Sequence, residues 1–501
     1  MNSEKNKNSY LDEQKEYRHI LKYMGMLGSV QGLTIFLSII RNKCAAIIIG
    51  ALGIGTLDLY NRIIDFFSNV CNLGIPFCAI RRISQFYENH DYPALEKEVH
   101  VVREWGRVTG AIAFLIMLLA APLFSFFIFN NFSKTTQFLL LAPIIAMNII
   151  IGEELAILKG IRKLKEIATI STFTAIITTI GTILCYIFFG IRGILPALFI
   201  SIGAQLALII NQTKKDFAFN DLKITRKTLY AGLPIITLGI SYVITGLAGT
   251  GSEMLIRIFM IKNTSMTEVG FYAAGFTLCI TYAKIIFVAM DSDYFPRLSG
   301  IVTNINKMRK TINNQIDVCV LLIAPFLILF IVFIHTIVLV LYSSEFISIV
   351  PMVICGSFYM FFKAITAPMS YLPLAKGDSK TFLVLELIYD FIFVSFIIVG
   401  FLYEGLMGAG LALSLSNMVE TFLIYVVYRK RYSFQIQTKT FLNIVIQGLI
   451  VFIAIVPAMF LNGNIKYIIG LIVFIISCLW SWKRLKIKKI SISALLKRSP
   501  R

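Results

Sequence analysis

Charge is scarce in this chain: Asp, Glu, Lys and Arg together make up 15% of its 501 residues, against about 25% in soluble globular proteins. A soluble fold of this length needs more polar surface than that, so an ordinary water-soluble globule is excluded. Histidine and tryptophan are rarer still, at 4 and 3. No HExxH, no Gly-rich loop ending in Lys-Ser/Thr and no spaced His/Cys quartet occurs. Nothing therefore points to a resident metal, a nucleotide-driven motor or a catalytic centre. The 8 cysteines stand singly, without a CxxC and mostly inside apolar runs, which excludes a disulfide scaffold. Nor does the chain open on a cleavable signal. Met1 to Arg18 is polar and of mixed charge, so the first apolar stretch is expected to stay as a membrane helix.

What is abundant is hydrocarbon. Hydrophobic residues reach 57% and mean hydropathy +0.79, which predicts an all-α polytopic membrane protein. A helix rises about 1.5 Å per residue, so roughly 20 apolar residues cross the bilayer core. On that ruler fourteen transmembrane helices are expected, at 23–49, 57–80, 108–130, 137–158, 167–189, 194–211, 229–249, 269–290, 318–341, 347–374, 381–401, 406–428, 441–461 and 467–482. No connection between them is long enough for an extramembrane domain. The net charge of +20 reflects 47 basic against 27 acidic residues. These charges fall between spans rather than on one face, which argues against nucleic acid. With the N-terminus inside, inner segments hold 37 of the basic residues and outer connections 5, which predicts both termini in the cytoplasm. Basic inner loops then meet anionic membrane lipids at about 1 kcal/mol per residue, and the Lys483–Arg501 tail is read the same way.

Two signatures recur along the chain. Gly55 is followed 27 residues later by Arg82, in Arg81-Arg82-Ile83-Ser84, and Gly270 is followed 27 residues later by Arg297, in Pro296-Arg297-Leu298-Ser299. Lys159-Gly160-Ile161-Arg162-Lys163 closes the fourth span and Lys376-Gly377-Asp378-Ser379-Lys380 the tenth. The offsets, 215 and 217, both correspond to a shift of six spans. Six is even, so both copies enter the membrane from the same side. That predicts two six-helix lobes in a pseudo-two-fold parallel repeat, an arrangement suited to alternating access. The expected division is an N-tail at 1–22, an N-lobe at 23–212, a linker at 213–228 and a C-lobe at 229–428. Two C-terminal helices at 441–482 and a basic tail at 483–501 complete it.

Several segments resemble the multidrug/oligosaccharidyl-lipid/polysaccharide exporter superfamily, and within it the O-antigen and capsule-type polysaccharide flippases. They are Arg41 to Gly50, Gly53-Ile54-Gly55, Val269 to Ala274, the Lys159-Gly160 helix end and, most specifically, Asp293-Tyr294-Phe295-Pro296-Arg297-Leu298-Ser299. The resemblance extends over about residues 20–430 and implies two lobes forming a V around a central cavity. It also implies a substrate: an undecaprenyl-diphosphate-linked oligosaccharide, moved from the cytoplasmic to the outer leaflet of a bacterial inner membrane. Polysaccharide polymerase machinery and membrane lipids are the implied partners. In the related lipid II flippases an arginine precedes the glycine ending the first span by nine residues, as Arg41 precedes Gly50. An aspartate early in their second span corresponds to Asp58, across a loop two residues longer here.

Whatever the family, an ionisable side chain at the bilayer centre costs at least about 2.5–3.5 kcal/mol and needs partners or water. Asp58, Arg62 and Asp65 fall at i, i+4 and i+7 on one stripe of the second span. They form either a self-satisfied cluster or a water-lined wall bearing a substrate contact and an ion site. Arg41 faces a cavity, or lies at the outer interface if the first span ends near Ile40. Lys284 and Lys363 lie deep in spans 8 and 10, and Arg257 near the outer mouth of span 7 beside Glu253. Together these basic groups suit a diphosphate, whose oxygens an Arg fork matches and a Lys meets as a point charge. Snorkelling to the interface is the alternative for Lys363.

The acids suit a different role. Glu386 and Asp390 flank Tyr389 one turn apart in span 11, and Glu153 and Glu154 lie deep in span 4. Such carboxylates bind Na⁺, carry H⁺ or act as counter-charges. His335 is read as a packed, hydrogen-bonded residue. No cofactor beyond a coupling ion is expected, and a monomer suffices. Two other functions compete: a multidrug exporter of the same superfamily, which chiefly handles cations, and a membrane oligosaccharide polymerase, which generally needs a sizeable outer loop.

Overall fold

The computed structural model describes residues 30–217, 226–281, 294–295, 297–461, 463 and 465–487, with the backbone alone at 226–242, 245, 281 and 487. Lys284, the N-tail and residues 488–501 of the basic C-terminal tail lie outside the described residues. Among the described residues the regular structure is helical throughout. The contacts divide the chain into two compact units, Met1–Met254 and Leu255–Arg501.

The first unit contains α1 (Val30–Ile48), α2 (Gly50–Cys71), α3 (Ile75–Glu88), α4 (Tyr92–Phe129), α5 (Thr135–Leu139), α6 (Leu141–Gly160), α7 (Leu164–Phe189) and α8 (Ile194–Thr213). Local chemistry sets several of these boundaries. Asp91 caps α4 by accepting from the Ala94 amide at 3.1 Å, with Pro93 in the first turn, where a missing N–H costs nothing. Gly74, at φ 70°, turns the chain from α2 into α3. Beneath them Ile83, Val102, Ile157 and Leu158 are fully buried in one apolar cluster. There Gly160 is obligatory, since a Cβ would stand 2.4 Å from Ile83 Cγ2.

α9 (Arg226–Asn263) carries the division between units, between Met254 and Leu255. Glu253 and Gly251 of α9 reach Arg62 and Phe66 of α2.

The second unit continues with α10 (Met266–Phe276), α11 (Ile305–Val332), α12 (Ile334–Leu341), α13 (Val350–Gly356), α14 (Phe358–Ala375), α15 (Ser379–Tyr432), α16 (Thr438–Phe460) and α17 (Ile465–Ile487). The last two helices are tied to α11 by polar contacts. Asp317 of α11 accepts from Thr440 Oγ1 and Asn443 Nδ2, both at 2.9 Å, and Ser481 Oγ donates to Leu321 O at 2.7 Å. These polar ties are buried in an apolar setting, where satisfied hydrogen bonds specify one packing.

Among the described residues eight helices are long and apolar enough to cross a membrane, or up to ten if each bent pair is one span. The difference from the expected fourteen has identifiable sources. Residues 164–213 and 379–432 each count once, yet each is two legs around a break. A straight helix of 54 residues would be about 80 Å long, far beyond a hydrocarbon core of about 30 Å. The expected span at 229–249 falls within the helix Arg226–Asn263, with the backbone alone described over most of it, and that at 269–290 lies partly outside the described residues.

Both breaks have the same geometry, 215 positions apart. Gly190 adopts φ 55°, ψ −132°, and Gly405 adopts φ 55°, ψ −135°, a region essentially reserved for glycine. Three residues on, a Cβ at Gly193 would stand 2.2 Å from Cys185 O, and one at Gly408 would stand 1.9 Å from Gly400 O. Each hairpin thus closes by pressing glycine against a carbonyl of its first leg. The spacing recurs at positive-φ residues Arg162 (58°) and Gly377 (72°). It recurs again in two ion pairs with interchanged charge, Lys163–Asp216 and Asp378–Arg431. The Lys159-Gly160 and Lys376-Gly377 signatures are therefore two residues out of structural register.

Candidate functional site

In the first unit, α1, α7 and α8 enclose a cavity of about 340 Å³. Thr34, Ser38 and Arg41 follow helical spacing on α1, as do Ser171, Thr174 and Thr178 on α7 and Ser201 and Gln205 on α8. No carboxylate is among the lining residues. Most of the hydroxyls whose bonds are defined donate to their own helix. Thr34 Oγ1 donates to Val30 O at 2.9 Å, Ser38 Oγ to Ile35 O at 2.7 Å and Ser201 Oγ to Ala197 O at 2.7 Å. Spending the proton on the backbone leaves the oxygen lone pairs as acceptors. Arg41 adds a cation and Gln205 both amide functions. Thr174 Oγ1 is buried without a hydrogen-bond partner, which marks the wall as incompletely satisfied.

In the second unit, α14 and α15 bring together Lys363, Glu386, Tyr389, Asn417 and Glu420. Lys363 Nζ lies 3.6 Å from Glu420 Oε1 and 5.9 Å from the Tyr389 ring centroid. Asn417 Nδ2 donates to Glu420 Oε2 at 2.7 Å and lies 3.5 Å from Tyr389 Oη. Glu386 is near enough to Lys363 for their charges to interact. Lys363 thus has an internal partner in Glu420.

The two sites occupy matching places in the sequence. At the 215-residue spacing, Ser171 corresponds to Glu386, Thr174 to Tyr389, Ala175 to Asp390, Ile202 to Asn417 and Gln205 to Glu420. One site is neutral with an arginine; the other is acidic with a lysine.

The remaining expected residues separate into other environments. Three carboxylates converge on Arg62: Asp58 at 3.3 Å, Asp65 at 3.8 Å and Glu253 at 2.5 Å. Arg257 is fully buried, its guanidinium 5.0 Å from the Tyr272 ring centroid and 4.8 Å from that of Phe276, a cation–π seat. Glu153 is buried where Gly106 makes room for it, since a Cβ at 106 would stand 1.3 Å from Glu153 Oε2. Its neighbour Glu154 accepts from Arg103 at 2.7 and 3.1 Å in a fully buried fork.

Sequence reasoning missed Glu420, although it is an ionisable residue within the expected 406–428 span and the intramembrane-charge rule would have found it. It also missed Gln205 and the serine and threonine lining, for which apolar spans give no charge signal. Among the described residues no group of three or more His, Cys, Asp or Glu is arranged to hold a metal ion.

Several solved structures share this fold. The lipid II flippase MurJ, in an inward closed conformation, superposes with a TM-score of 0.65 at 14% identity, over 94% of this chain and 100% of that one. An inward-facing multidrug resistance MATE family transporter of the MOP superfamily gives 0.65 at 14%, over 80% and 94%. A MOP superfamily transporter from Pyrococcus furiosus gives 0.57 at 14%, over 82% and 96%. No curated protein matches the sequence. The chain thus shares the multi-pass helical membrane fold of these transporters. A family model described as "Polysaccharide biosynthesis protein" matches residues 55–351, more than half of the chain. The chain belongs to that family.

Proposed function

We propose that the protein is a flippase for an undecaprenyl-diphosphate-linked oligosaccharide, carrying it from the cytoplasmic to the outer leaflet of a bacterial inner membrane by alternating access. The observation that carries this reading is the cavity around Arg41, a cation among hydroxyl and amide groups with no lining carboxylate. A diphosphate brings about two negative charges that a guanidinium fork matches, and a glycan brings hydroxyls. Arg62 is the weaker substrate contact, because three carboxylates already face it. Arg257 and Lys363 are likewise engaged, with aromatic rings and Glu420 respectively.

The acids supply coupling in this account. Glu153 and the Glu386–Asp390 turn are the residues through which Na⁺ or H⁺ acts, and Asp65 joins the acidic group around Arg62. An inside-negative potential assists outward movement of the anionic lipid, at about 2.3 kcal/mol per charge per 100 mV. The fourteen-span topology, cytoplasmic termini, paired lobes and monomeric state belong to the same reading, with polysaccharide polymerase machinery as the downstream consumer.

A deletion strain tests the assignment. Lipid-linked oligosaccharide should accumulate on the cytoplasmic leaflet and return to normal with the wild-type chain but not with Arg41→Ala. A second reading, export of cationic drugs, is favoured by the acid-rich group around Arg62. Normal surface glycan together with altered sensitivity to cationic drugs would select it.

A further inference from the structure

The walls of the first-unit cavity carry more information than a cation alone requires. A bare oxyanion wants hydrogen-bond donors on every side, yet the hydroxyls of Thr34, Ser38 and Ser201 have committed their protons to backbone carbonyls. Their free valence is acceptor lone pairs, which repel phosphate oxygens and attract O–H and N–H groups. A lipid tail is a poor match because nine of the twelve lining residues carry polar groups, and a cationic drug is a poor match because it meets Arg41 and no carboxylate. The matching second-unit positions are closed to the same ligand, since Glu386, Tyr389, Asn417 and Glu420 already engage Lys363 or one another. The ligand that fits the first cavity is rich in donors and carries its negative charge at one end.

We propose that Ser171, Thr174, Thr178, Ser201 and Gln205 form a saccharide subsite. It takes the sugars nearest the diphosphate, while Arg41 meets the anionic end of the same ligand. This rests on the flippase reading and adds to it the place where glycan selectivity resides. The buried, unpartnered Thr174 Oγ1 is the group that a sugar hydroxyl completes. A volume of about 340 Å³ lies in the range of small-molecule pockets, about 300–1,000 Å³. It therefore accommodates a short saccharide segment while the rest of the chain extends elsewhere.

The test measures binding of two lipids to the full-length protein in nanodiscs. One is undecaprenyl-diphosphate-linked oligosaccharide isolated from the deletion strain, the other undecaprenyl diphosphate without sugar. Wild type should prefer the glycosylated lipid. Thr174→Val and Gln205→Leu should each reduce that preference about tenfold, the scale on which a site built for hydrogen bonds rejects a mismatch. Thr174→Ser keeps the hydroxyl and should retain the preference, which separates lost hydrogen bonding from a damaged fold. Arg41→Ala should weaken both lipids and leave their ratio unchanged. An unchanged ratio in folded Thr174→Val and Gln205→Leu overturns the subsite while leaving the flippase standing. Failure of the wild-type protein to bind either lipid overturns the flippase reading itself.

Discussion

The neutral cavity of the first unit and the acidic cluster of the second share matching hairpins, α7–α8 and the two legs of α15, with their cations brought in from other helices, yet they handle charge in opposite ways. Around Arg41 the walls are hydroxyls and an amide. At the matching positions the second unit has Glu386, Tyr389, Asp390, Asn417 and Glu420, and its own cation, Lys363, is bound to Glu420 at 3.6 Å. The hairpins that frame the two sites keep the same backbone angles at Gly190 and Gly405. Two hairpins with the same backbone turn can thus hold two chemistries, because backbone geometry depends on a few glycines while site chemistry depends on side chains free to differ. One unit is left with polar capacity for a ligand, and the other uses its polar groups on itself.

The largest expected effect tests that contrast directly. Glu420→Ala strands the partly exposed Lys363 and removes the buried carboxylate that holds it, and losing such a charged contact costs about 1.5–3 kcal/mol. Its counterpart Gln205→Ala strands no charge and should cost about 1 kcal/mol or less. Thermal melting of the purified protein compares the two, and Lys363→Met with Glu420→Met should recover most of the first loss. Equal losses would break the contrast.

Next in size is transport. Arg41→Ala should lower glycan export at least about tenfold, the scale of a lost hydrogen bond to a charged group, with membrane levels intact. Arg41→Lys should rescue only in part if two oxygens are gripped at once; full rescue points to a simple field effect. Loss of the protein itself would make Arg41 structural.

Gly190→Ala and Gly405→Ala should each cost about 1–3 kcal/mol, because both impose a glycine-only conformation on a residue with a side chain. The comparison predicts similar losses at the two hairpins in thermal melting. A loss confined to one would show that the shared angles are not equally required.

The smallest effects belong to the two ion pairs at the helix ends. Arg431, Tyr432 and the Thr381 amide hold the Asp378 carboxyl well below the usual carboxylate range. The folded value is depressed below an unfolded value of about 3.9. The associated stability is therefore complete above that pH and is lost as pH falls through the lowered value. Asp378→Asn should reduce Tm equally at pH 8 and pH 5, with the gap closing only below about pH 4. Exchanging the charges of Lys163 and Asp216 should restore what either single reversal loses.

Much of this fold was legible in the sequence because apolar length is a direct physical requirement of a bilayer. The expected ranges 167–189 and 194–211 fall within Leu164–Phe189 and Ile194–Thr213. The Arg82 to Arg297 offset is the spacing at which Gly190 and Gly405 share their angles. The sites were less legible. Helical spacing placed Asp58, Arg62 and Asp65 on one stripe, but Glu253, nearly two hundred residues away, completes the group only through tertiary packing. Likewise nothing in the apolar run around Glu153 announces that Gly106 of another helix makes its pocket. The cavity was hidden for a different reason: Ser171, Thr174 and Ser201 carry no charge, and serine and threonine within a span also occur as ordinary packing residues.

The most direct test of the account is translocation by the purified full-length chain in sealed vesicles, with undecaprenyl-diphosphate-linked oligosaccharide loaded in one leaflet and its appearance in the other followed over time. The account predicts transfer by the wild-type chain and loss of that transfer in Arg41→Ala at equal protein content. Transfer no faster than in protein-free vesicles, or undiminished transfer by Arg41→Ala, would contradict it.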